Sequence, residues 1–118
     1  TPEVTIDFLV DLPNGQKINN GANSYIKVHE NIHGKGWTEV QNINVKKNVL
    51  IAGMDISIQR KIKLSHASSD LLISSVIVHC SNDDRGGCFI DSFQQKVKRK
   101  LPSKTGMISK IVFKPTRD

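Results

Sequence analysis

Aromatic side chains are scarce in this chain: four Phe, one Trp and one Tyr, 5% of 118 residues. Proteins that bind single-stranded nucleic acid by stacking need aromatic rings interleaved with basic residues. Only Phe93 and Phe113 lie near the basic residues here, so this composition does not support base stacking. Cysteine is limited to Cys80 and Cys88, which excludes a disulfide-dense mini-protein and a four-cysteine metal site. Long apolar runs are missing too. Val49 to Ala52 and Val76 to Val78 are among the longest, far short of the roughly 20 residues of a membrane-crossing helix. No low-complexity tract occurs, and 37% hydrophobic with 24% charged residues excludes wholesale disorder. A signal-peptide pattern is also lacking. The start at Thr1, without methionine, is the one expected of a processed mature protein or an excised fragment.

The length suits a single domain over residues 1–118, able to bury roughly two-thirds of its unfolded surface without a metal or a disulfide. Within it, charge is unevenly placed. Residues 1–93 hold nine Lys or Arg against ten Asp or Glu, a net of −1. Residues 94–118 hold eight basic residues, among them Lys96, Lys98, Arg99, Lys100, Lys104 and Lys110, against Asp118 alone, a net of +7. A basic segment on a neutral body points to a polyanionic partner: a nucleic acid backbone or an anionic lipid surface. With so few rings, nucleic acid would be gripped through phosphates, with little sequence preference.

Hydrophobic alternation predicts the fold. Met54, Ile56, Ile58, Ile62 and Leu64 interleave with polar residues, and only Arg60 breaks the inward row; Val4, Ile6, Phe8 and Val10 behave alike. Period two over such lengths is a strand with one wet face. Leu71 to Val78 is apolar on both faces, as a central strand is. Tyr25 to His29, Trp37 to Val45, Cys88 to Phe93 and Met107 to Phe113 supply further strands. Leu12-Pro13-Asn14-Gly15 is a turn in which Pro presets φ and Asn-Gly tolerates positive φ. Seven to eight short strands predict an all-β protein, an antiparallel β-sandwich or a barrel-like relative of it. One segment, 91–101, reads as a short helix: Asp91 or Ser92 caps it, Phe93, Val97 and Leu101 recur every four residues, and Pro102 follows.

Cys80 and Cys88 enclose a seven-residue, turn-like loop ending in Gly86-Gly87 between two strands. A disulfide across that hairpin is geometrically reasonable; two reduced thiols are the competing reading. The first implies secretion and the second an intracellular protein. His79 adjoins Cys80 on the central strand and reads as a satisfied core histidine.

The sharpest motif is His29-Glu30-Asn31-Ile32-His33, with Gly36 and Glu39 at successive steps of three beyond it. It resembles the H-E-x-x-H-x-x-G-x-x-H/D signature of the metzincin zinc proteases over these 11 residues. The resemblance implies zinc held by His29, His33 and Glu39, with Glu30 as general base for a small metallohydrolase. On a strand, by contrast, His29 and His33 stand about 13 Å apart, too far to chelate one ion. Three functions thus follow: a non-catalytic module binding a polyanion, a zinc hydrolase, or an interaction domain that adds a partner protein's strand to a sheet edge.

Overall fold

The computed structural model describes residues 3–19, 21–31, 34–45, 51–52, 55–66, 69–81, 86–98 and 108–114. Among them every regular element is a strand: β1 (Glu3–Asp11), β2 (Gln16–Ile18), β3 (Tyr25–Asn31), β4 (Trp37–Asn44), β5 (Ile51–Ala52), β6 (Asp55–Lys63), β7 (Asp70–Ser81), β8 (Cys88–Val97) and β9 (Ile108–Phe113). They form two packed sheets. One runs β5-β6-β1-β9; in the other β7 is central, with β8 along one edge and β3, then β4, along the opposite one. The expected β-sandwich is therefore the fold. The strands exceed the seven or eight expected because β2 and β5 are short pieces of three and two residues. All pairings are antiparallel except β1 with β9, which run parallel from Thr5↔Ile108 to Val10↔Phe113.

The alternation expected from sequence is realised as burial. Val4, Ile6, Phe8 and Val10 of β1, Ile58 and Ile62 of β6 and Ile111 and Phe113 of β9 face Ile26 and Val28 of β3 and Leu71, Ile73 and Ile77 of β7 in one continuous core. Arg60 does break its row: it stands exposed on β6, its guanidinium donating to the Gln59 carbonyl at 3.0 Å. The Pro13–Gln16 turn closes through Gln16 N–H to the Pro13 carbonyl at 3.1 Å, with Gly15 at φ 80°. That φ is unstrained only for glycine.

β2 and β3 lie end to end along one edge of β7, pairing with His79–Ser81 and Asp70–Val76 respectively. Ser24 bridges the gap between them. Its Oγ accepts the Val78 N–H at 2.9 Å, in place of a missing strand carbonyl.

The expected helix over 91–101 is not formed. Residues 91–97 belong to β8, which pairs with β7 from Leu71↔Val97 to Cys80↔Cys88. Phe93 and Val97, four apart, fit a helical face and equally one face of a strand, and both pack against the core. Asp91 is not a cap; its carboxylate accepts from His79. The decisive constraint is non-local. The Cys80–Cys88 disulfide, with Cα atoms 4.0 Å apart, clamps the first pair of the β7–β8 ladder. Tertiary pairing overrides the modest helix preference of Gln-Gln-Lys. Residues 99–101 of the expected helix lie outside the described residues.

The closed loop is short, so the bridge constrains the unfolded chain by only about 2 kcal/mol. Thermal unfolding with and without a dithiol reductant is expected to show that loss. An unchanged midpoint would mean that the ladder holds equally well without the covalent link.

Candidate functional site

The described parts of the basic segment, 94–98 and 108–114, fall on or beside β8 and β9, at one lateral side of the sandwich. Among the described residues β8 pairs only with β7 and β9 only with β1, so each ends its own sheet. The two terminal strands meet through Phe93 and Phe113, whose rings lie 5.5 Å apart. Two strands remote in sheet order thus bring Lys96 and Lys98 to the same side as β9 with Lys110.

Electrostatics differ along that side. On β8, Lys96 and Lys98 are exposed. The outward row of Cys88, Ile90, Ser92, Gln94 and Lys96 contains no acid, because the one carboxylate of β8, Asp91, turns to the other face. Asp70, one step beyond the Leu71–Val97 pair, takes the register position of Lys98, whereas Lys96 stands opposite Leu72. On β9, Lys110 stands at the register position of Asp7, whose Oδ1 accepts a bond from Ser57 Oγ at 3.1 Å. Among the described residues, Lys96 is thus exposed on a strand row that carries no acid. Arg99, Lys100 and Lys104 lie outside the described residues.

The histidine motif is placed quite differently from a helical zinc site. His29 and Glu30 are consecutive on β3, so their side chains take opposite faces. Glu30 turns into the core at 1% exposure, where both carboxylate oxygens accept the Ser65 N–H, at 3.0 and 3.1 Å. It ties β3 in one sheet to the chain leaving β6 in the other. His29 pairs in register with Glu39 of β4 across a bulge, and Glu39 lies 4.0 Å from the Lys27 ammonium. His33 lies outside the described residues. Among those described, no three His, Cys, Asp or Glu side chains stand close enough to hold a metal ion. Glu30 is spent on a backbone bond and cannot reach a water on the face that carries His29.

A polar cluster that sequence reasoning missed lies between β2, β7 and β8. His79 is fully buried, its Nε2 2.6 Å from Asp91 Oδ2 and its Nδ1 2.8 Å from Gln16 Oε1. A carboxylate only accepts, so Nε2 carries a hydrogen and donates. The Phe89 ring stacks on the imidazole at 5.7 Å. Gln16 Nε2 is buried without a partner; turning the amide end for end would satisfy it at Nδ1 and orphan Oε1 instead. The triple resembles an oriented catalytic histidine only on paper. Both ring nitrogens are engaged inside the protein, so it acts as a structural link, as a core histidine was expected to.

No protein-family model matches the chain, and no similar curated protein is found. Its chemistry therefore has to be read from its own residues. No helix among the described residues is long and apolar enough to cross a membrane. Among the described residues of the basic segment, exposed Lys96 and Lys98 stand at the end of the β8 row, where Asp70 takes the register position of Lys98. Trp37, 37% exposed, is on β4, at the far edge of the same sheet.

Proposed function

We propose that the chain is a non-catalytic binding module that engages a polyanion along the β8–β9 side of its sandwich. The observation that carries this reading is the outward row of β8. It ends in exposed Lys96 and Lys98, holds no acid, and continues in sequence into Arg99 and Lys100. A rigid strand presents such ammonium groups at fixed spacing, which limits the side-chain entropy lost on binding. The disulfide supports an oxidising compartment, hence a secreted protein, since such bonds persist there and are reduced in the cytosol.

Changing Lys96, Lys98, Arg99 and Lys100 together to Glu is expected to abolish binding to heparin and to RNA at low salt. For the unmodified chain, log affinity for the RNA is expected to fall linearly with log salt, since each displaced counterion contributes to the slope. Equal affinity of the charge-reversed variant would refute the reading.

A second reading is favoured by Ile90, 71% exposed on the same edge strand. An extended protein segment adding to the free side of β8 would cover it. Binding of that kind would survive high salt and be lost in Ile90→Lys.

A further inference from the structure

We infer that the polyanion is an acidic polysaccharide, a sulfated or carboxylated glycan, read by the amide and hydroxyl groups that β8 sets among its lysines. This rests on the proposed polyanion binding and adds the class of ligand. Ser92, Gln94 and Lys96 are exposed on the outward row of β8, and Lys98 follows. The oxygens of a phosphodiester only accept, so they use cations and the donor side of an amide and leave its carbonyl idle. Amides, which both donate and accept, suit a ligand that offers ring hydroxyls between its anionic groups.

Three observations weigh against the other polyanions. The aromatic residues of this side are consumed by the fold: Phe113 is buried, and Phe93 is packed against it in the core. Neither is available to stack on a base. Exposed Trp37 lies three strands away, at the opposite edge of the sheet. The disulfide at the head of β8 fits an oxidising compartment, where acidic glycans abound and nucleic acid is scarce. A lipid surface is disfavoured because, among the described residues, the large apolar side chains exposed on β8 and β9 are Ile90 and Val112, on separate strands, and the neighbours of Ile90 on its row are polar or the disulfide. Membrane docking draws on several buried apolar groups beside the basic ones.

The test compares three probes on the full chain: a heparin oligosaccharide, a duplex RNA and phosphatidylserine vesicles. Ser92→Ala with Gln94→Ala removes no charge. It is expected to weaken heparin binding about tenfold, the worth of two ordinary hydrogen bonds, and RNA binding by clearly less. Lys96→Gln with Lys98→Gln is expected to weaken binding to every anionic probe. All four positions are exposed, so folding is not at stake, and matching thermal unfolding curves would confirm it. If RNA or vesicles bind as tightly as heparin and the Ser92 and Gln94 variant is silent, the glycan inference is overturned while polyanion binding stands. If no probe binds in a salt-dependent way, both fall.

Discussion

Replacing Phe8 with alanine is expected to lower the unfolding free energy by about 3–5 kcal/mol. That is a large share of the roughly 5–15 kcal/mol by which such domains are stable. Phe8 is fully buried on β1, flanked by β6 and β9. Its ring stacks on Phe113 at 6.4 Å and 10°, and Phe113 in turn meets Phe93. The three rings form a row from the middle of one sheet to the edge of the other. Alanine would remove the transfer free energy of the ring, the cavity could not fully collapse between two sheets, and an aromatic pair worth about 0.5–1.5 kcal/mol beyond its area would vanish. Phe8→Leu keeps most of the volume and should cost less than about 1.5 kcal/mol. Urea titrations check both, provided the slope is unchanged. An alanine variant within about 1 kcal/mol of the parent would show that this row does not hold the sheets together.

The second large effect is expected at His79. His79→Leu keeps the volume but leaves Asp91 and Gln16 facing an apolar group. Loss of one member of a fully buried charged pair costs about 3–5 kcal/mol. Asp91 keeps 26% of its side chain exposed and can be partly rehydrated, so about 2–3 kcal/mol is expected here. The pair is best measured by a cycle with Asp91→Val. The double variant has no orphaned carboxylate and should cost less than the two single changes summed, by about 1–2 kcal/mol. Strict additivity would mean that the 2.6 Å contact contributes nothing. Gln16 sets the upper limit of what the cluster can give, since one of its amide atoms is unpaired in either orientation.

What could be read in advance was what period two controls. The rows of β1 and β6, the two-faced apolar β7 and the Pro13–Gly15 turn depend on neighbours in sequence, and all were legible. β8 was only half legible, because apolar residues four apart satisfy both a helix and a strand; the choice was made by pairing with β7. The H-E-x-x-H string shows the converse. Its spacing has chemical meaning on a helix, and on β3 the same letters put Glu30 in the core and His29, half-buried, on the opposite face. The His79–Asp91 contact was within reach. Had the Cys80–Cys88 pair been taken as the register of the hairpin, Phe89 would fall opposite His79 and Asp91 on the same face, one step along. Gln16 was not within reach, since nothing local announces that β2 adds to β7. Nor was the meeting of β8 and β9 at one side, which depends on how the chain crosses between sheets. Residue counting revealed the positive segment; topology decided that Lys96 stands opposite Leu72 and that Lys110 takes the register position of Asp7.

The parallel pairing of β1 with β9 has a consequence for how the molecule is made. Thr5 meets Ile108, more than a hundred residues later in synthesis. Until then β1 can pair with β6 alone, leaving one flank of the strand and the Phe8 ring without their final neighbours. Contacts this remote slow folding. A ribosome-bound intermediate, with its first strand half-paired, is therefore the stage at which the nascent chain is most open to aggregation or chaperone capture.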